Sequence, residues 1–165
     1  MPKSYDNARA AVRTMFIAVL LVLLAQPLYS QSKYIKKYRP LADSLESQYG
    51  VPSAIILGVA IIESGAGQSR NAKMLNNHFG IVGKNDVLRT KGIKTRYKQY
   101  PSIRASYLGF TGLMTRKKFY KKLKGNMDYK LWLDAMSKAG YSEEPEIWKQ
   151  RITSAIKKHK LASNR

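Results

Sequence analysis

Apolar residues recur along this chain at helical spacing, and short breaks rich in glycine and proline separate the periodic stretches. From Tyr34 to Tyr49 they fall at Tyr34, Ile35, Tyr38, Leu41, Ala42, Leu45 and Tyr49. That 3.6-residue period predicts an amphipathic helix. Gly50 suits its C-terminal end and Pro52 suits the first turn of the next helix, from Pro52 to Glu63. Ala54 to Ile62 has no polar side chain, and a helix apolar all round is a buried one. Ser64-Gly65-Ala66-Gly67 stops it, and the polar stretch Gln68 to Asn77 has room for a short helix near Arg70 to Leu75.

Residues 82–100 change character. Val82 to Asp86 and Lys91-Gly92 read as turns, while Ile93 to Tyr100 has the aromatic and β-branched content of a strand. The stretch predicts a small β-hairpin. Helical spacing then returns: Ser102 caps a helix to Thr115, and Arg116 to Lys124 forms a basic helix or turn. Asp128 caps a helix to Ala139, and a last one runs from Glu144 to His159. With no internal repeat and no linker, the expectation is one mainly helical domain (α+β in class) with a small β lobe.

The first 30 residues read differently. Lys3, Arg9 and Arg13 precede the uncharged apolar run Met15 to Ala25, and Gln26 to Ser30 break it. This is the layout of a secretory signal peptide, and an 11-residue apolar run is too short to span a bilayer of about 30 Å. The expected organisation is therefore a signal peptide at 1–30 and one domain at 31–165, exported to the periplasm or beyond. The chain has no cysteine, which excludes disulfides and thiol catalysis.

Charge narrows the partners. Of 30 basic and 10 acidic residues, only Lys3, Arg9, Arg13 and Asp6 precede residue 31, leaving 27 against nine. Such a field attracts polyanions. With an export signal, an anionic cell envelope is the expected partner rather than nucleic acid, and the chain is read as a monomer.

Two histidines without cysteines make no metal pattern, no glycine-rich phosphate loop occurs, and no nucleophile elbow marks a serine. No metal and no cofactor are expected. The nine carboxylates remain. Asp43 and Glu46 lie on the polar side of the first helix, Asp128 is a cap, and Glu143, Glu144 and Glu146 suit the first turn of the last helix. Glu63 is different. It shares a stripe with Ile56, Val59 and Ala60, at the helix end where the dipole disfavours negative charge. Apolar surroundings act in the same direction, so its carboxyl should keep its proton near neutral pH, as a general acid must. Local physics equally fits a buried Glu paired with one of the many cations.

Further blocks bear on that choice. Ala60-Ile61-Ile62-Glu63-Ser64-Gly65-Ala66-Gly67-Gln68-Ser69 resembles the catalytic segment of the glucosaminidase family of peptidoglycan hydrolases. Asn76-Asn77-His78-Phe79-Gly80-Ile81 is similar to its N-N-x-F-G-I block, and Arg96-Tyr97-Lys98-Gln99-Tyr100-Pro101-Ser102 to its F-R-x-Y-x-S segment. Asp128-Tyr129-Lys130-Leu131-Trp132 and Ala139-Gly140-Tyr141-Ser142 resemble its Y-x-x-W and A-G-Y-A/S blocks. Five blocks in order cover about residues 34–161.

The resemblance implies a lysozyme-like fold, with a helical lobe, a β-hairpin lobe and a groove between. It implies cleavage of the β-1,4 bond after N-acetylglucosamine in peptidoglycan strands, with Glu63 as general acid. Tyr141 matches a tyrosine near the cleaved bond. Asn77 and Phe79 match the groove floor, and Tyr97 and Tyr100 are candidates to stack on sugars. Glycosidases usually need a second carboxylate, about 5 Å away for retention or about 6.5–9.5 Å for inversion. In this family it is sought in the β lobe, where Asp86 is the one acid here and Lys94-Thr95 stand where relatives often carry another. Either Asp86 is the base or the substrate's acetamido group assists. The competing readings are a lytic transglycosylase, which needs one acid, and a non-catalytic basic wall-binding module.

Overall fold

The computed structural model describes residues 31–162. The signal-peptide reading of 1–30 lies outside them. Tyr34–Arg165 belong to one compact unit, and the description that follows is of that unit.

Residues 31–49 are helical (α1), and every apolar position of the predicted stripe is in the core or packed against it. Gly50, with φ 67°, turns the chain. The next helix, α2 (Ser53–Ser64), has no side-chain cap of its own at Pro52. Glu46, on α1, supplies one, accepting the Ser53 N–H at 2.7 Å. The uniformly apolar stretch of α2 is buried as its composition requires, with Ile55, Ile56, Leu57, Val59 and Ala60 wholly inaccessible. Each such aliphatic side chain contributes about 1.5–3 kcal/mol by leaving water. Gly65, in the left-handed region, closes the helix by donating to Ile61.

Against α2 pack α5 (Ile103–Thr115), α7 (Tyr129–Lys138) and α8 (Pro145–Lys158), while α3 (Arg70–Leu75), α4 (Val87–Lys91, on the 82–100 excursion) and α6 (Tyr120–Leu123, against α5) are short. Ser69, Ser102 and Asp128 cap α3, α5 and α7 with their side chains, so these starts are local chemistry. The α8 helix packs directly on α2. A Cβ built on Gly58 would stand 3.0 Å from both Ile152 Cγ2 and Ile156 Cγ1, so the missing side chain sets how closely the two helices approach.

The expected hairpin at 82–100 is reduced. One antiparallel bridge, Val82 with Tyr97, is the whole of the β structure among the described residues. Two asparagines account for the difference. The Asn85 amide donates to the Thr95 and Tyr97 carbonyls at 3.0 and 2.9 Å, and the Asn77 amide donates to the Ile81 and Lys98 carbonyls at 2.8 Å each. Side chains thus take carbonyls that a ladder would use. The excursion carries α4, where a strand and turn were expected.

Candidate active site

Glu63 sits one residue before the C-terminus of α2, half-buried. The next residue anchors the turn: Ser64 Oγ donates to the Ala60 carbonyl and accepts the Gly67 N–H at 2.8 Å. The Glu63 carboxyl receives one hydrogen bond, from Trp148 Nε1 on α8 at 2.8 Å. Its other oxygen faces Gly80, where a Cβ would stand 2.9 Å from Oε2. Gly80 also has φ 63°, so both its backbone and its neighbour exclude a side chain.

No Lys or Arg pairs with Glu63 among the described residues; the ion pairs there join other acids. The reading of Glu63 as half of a buried salt bridge therefore fails. Burial raises its pKa above the ordinary carboxylate range, and the Trp148 N–H partly opposes this by favouring the charged form.

The carboxyl opens onto a hollow of about 540 Å³, lined also by Val82, Arg96 and Tyr97 from the bridged segment and by Gly140 to Glu144 on the other side. Tyr141 donates its phenol to the Phe79 carbonyl at 2.9 Å, which fixes the ring beside Glu63 and leaves the oxygen's lone pairs available. Burial, and then the neighbouring Glu63 charge, hold its pKa well above that of a free tyrosine. It is a neutral phenol throughout the working pH range.

The structure thus brings together Glu63, Tyr141 and Tyr97 on one hollow. It does not bring the remaining candidates to it. Asn77 is buried and fully engaged, its oxygen accepting from Phe79 and Ile81 N–H while its amide holds two carbonyls. Phe79 is buried against Phe110, with centroids 4.4 Å apart. Tyr100 is buried, its ring over Gly109. Asn77 and Phe79 are packed in the core, while Tyr100 is near enough to Tyr141 to influence its titration and lines the neighbouring hollow with Asp86. Asp86 starts α4, pairs with Arg89 at 3.2 Å, and lines a different hollow with Lys84, Gln99 and Pro101.

Sequence reasoning missed two features of the site. Trp148 is 85 positions from Glu63, and no local signal joins them. Glu143 and Glu144 precede α8 rather than lying in its first turn, because Pro145 opens the helix; they face the hollow, and Glu143 reaches Arg96 at 3.4 Å. His78 lies in the core, away from the hollow: its Nδ1 is 2.6 Å from the Tyr34 hydroxyl, which also contacts the Tyr107 hydroxyl at 2.8 Å. Burial, helped by the Lys37 charge, pulls the His78 pKa down to about 4. Among the described residues no three His, Asp or Glu side chains gather as a metal site would need.

The mainly helical, lysozyme-like fold, with a half-buried carboxyl of raised pKa opening onto a groove beside a tyrosine, is that of a glycoside hydrolase. The chain belongs to the glucosaminidase family: the family model described as mannosyl-glycoprotein endo-beta-N-acetylglucosaminidase matches residues 39–161. The peptidoglycan hydrolase FlgJ of Escherichia coli strain K12 is 25% identical over 183 aligned residues, covering 100% of this chain and 52% of that protein. The exo-glucosaminidase LytG of Bacillus subtilis is 26% identical over 148, covering 79% of this chain and 52% of that one. The chain thus spans about half the length of these relatives. A truncated glycoside hydrolase domain of Salmonella typhimurium FlgJ superposes with a TM-score of 0.63 at 23% identity, over 81% of this chain and 99% of the domain.

Proposed function

We propose that this protein is a peptidoglycan hydrolase, an endo-β-N-acetylglucosaminidase that cuts the β-1,4 bond after N-acetylglucosamine outside the cytoplasm, with Glu63 as its general acid. The observation that carries this is the Glu63 carboxyl itself: raised in pKa by burial, unpaired with any cation among the described residues, and open to a groove. The activities that give FlgJ and LytG their names, and the export pattern of residues 1–30, support the substrate and the location.

In this mechanism Glu63 gives its proton to the glycosidic oxygen as the C1–O bond breaks, and the Trp148 N–H steadies the carboxylate left behind. Asp86 is turned to Arg89 and lines another hollow, which favours assistance by the substrate's own acetamido oxygen. That oxygen bonds to C1 and forms a cyclic oxazolinium ion. Water then opens the ring at C1, and Glu63 takes the water's proton back. Tyr141, held by the Phe79 carbonyl, orients the acetamido group or the water, and Tyr97 offers a ring to a sugar face.

The test is loss of turbidity of a peptidoglycan suspension, with mass spectrometry of the products. Wild type should release reducing N-acetylglucosamine ends, and Glu63→Gln should lose at least about 100-fold in rate, the usual worth of a positioned acid. Asp86→Asn should turn over as wild type does. Anhydro-muramic ends would make the protein a lytic transglycosylase, and equal activity in wild type and Glu63→Gln would remove the proposed acid.

A further inference from the structure

A second hollow, of about 510 Å³, lies between α6 and α7 and shares no lining residue with the one at Glu63. Its floor is apolar, made by Phe119, Leu123, Leu131 and Ala135, and its rim carries Lys118, Lys122 and Lys138. The acid on its lining, Asp134, is already held by Lys149 at 3.1 Å. The rim continues the basic run Arg116 to Lys124, six cations in nine residues with no acid. Among the described residues the ion pairs use Arg89, Arg96 and Lys149, none of them in this run. Of the hollow's apolar lining, Leu131 is a large side chain left 44% accessible.

We propose that this face docks on a lipid bilayer carrying anionic phospholipid, the apolar hollow taking an acyl segment and Lys118, Lys122 and Lys138 taking the phosphates. The inference rests on the α6–α7 face alone and does not depend on the reading of Glu63. Charge complementarity selects an anion, since lysines near a lipid surface are drawn to acidic headgroups. The floor selects an amphiphile. A bare phosphate polymer or a nucleic acid satisfies the cations yet leaves Phe119, Leu123 and Leu131 against water. A basic rim around an apolar centre is the pattern of a surface that lies on a membrane. The volume also falls within the range, about 300–1,000 Å³, in which sites enclose a small ligand or a chain segment.

Trp132 provides a local reporter, because its ring meets Phe119 edge-on with centroids 6.0 Å apart. The chain has two tryptophans, so in full-length Trp148→Phe protein all tryptophan emission comes from Trp132. Vesicles of phosphatidylglycerol and phosphatidylcholine with brominated acyl chains should quench that emission, and vesicles of brominated phosphatidylcholine alone should not. Adding Lys118→Glu, Lys122→Glu and Lys138→Glu should weaken binding at least 10-fold. The control set Lys73→Glu, Lys84→Glu and Lys94→Glu, exposed cations elsewhere, should weaken it far less. Leu131→Asn, a single exposed change the fold tolerates, should reduce quenching as well.

Binding without quenching would place the lipid contact elsewhere in the chain and overturn the proposal. Equal losses from the two lysine sets would overturn it in favour of undirected charge. Displacement by polyphosphate together with no effect of Leu131→Asn would reassign the face to polyanions. Near-ultraviolet circular dichroism confirms that each variant is folded, and Leu131→Asn keeps the question decidable if the triple variant is not.

Discussion

At the scale of single residues, the Glu63 carboxyl is set between two opposing influences. Burial raises its pKa, and the Trp148 N–H lowers it. Trp148→Phe removes the second and leaves the first. The Glu63 pKa should then rise further, and the alkaline limb of the pH–rate profile, where the acid loses its proton, should move to higher pH. A limb that stays in place or moves to lower pH would separate Trp148 from the titration. The same physics gives Glu63 a stability cost. A carboxyl with a folded pKa above its unfolded one binds more protons in the folded state, so its contribution to stability falls as pH rises through that window. Glu63→Gln keeps an acceptor for Trp148 and removes the charge. It should therefore melt at or above the wild-type temperature at pH 7 while turnover collapses, a combination that thermal denaturation checks.

At the scale of elements, Asn77 shows how a loop is made rigid. Its buried amide uses both donors and its oxygen accepts twice, all on backbone groups between Phe79 and Lys98. Asn77→Ala leaves several buried backbone groups without partners, which costs about 1–3 kcal/mol for each group left truly unsatisfied. A loss of about 2–4 kcal/mol in chemical denaturation is expected; a loss below 1 kcal/mol would mean that water replaces the side chain. This is also where sequence reading runs out. The helices α2, α3, α5 and α7 were legible because their starts and stops are local: Ser69, Ser102 and Asp128 cap their own helices, and Gly65 closes its own. The 82–100 segment was not, because Asn77 and Asn85 reach across it and substitute for strand pairing. Five residues of α4 are too few to show a period. Glu63 was legible by its position on an apolar stripe. Trp148 was not, since only the packing of α8 on α2 brings it there.

At the scale of the whole molecule, charge and burial act through pH and salt. His78 is held neutral in the core with a pKa of about 4, below its free value near 6.5. Between those values the unfolded chain binds the extra proton, so stability is full above pH 6.5 and falls as pH drops toward 4. His78→Gln should flatten that part of the stability curve, as measured by melting temperature from pH 7 to pH 4. The formal charge of +20 concerns encounter rather than fold. Raising ionic strength from 0.1 to 1 M shrinks the screening length from about 10 to about 3 Å. On an anionic wall suspension KM should therefore rise with salt while kcat holds; a salt-independent KM would leave the basic surface without a part in substrate capture.

Gly58 gives the packing of α8 on α2 a chemical meaning. The spacing it permits between the two helices is also the distance over which Trp148 reaches the acid on α2. A methyl group added there, in the core and away from the groove, bears on Ile152 and Ile156 one and two turns along the helix from the indole. With Glu63 as the proposed acid, the pH at which the enzyme works best becomes a mechanical property of a helix pair. Selection or engineering is able to adjust it by changing core volume, leaving every groove-lining side chain as it stands.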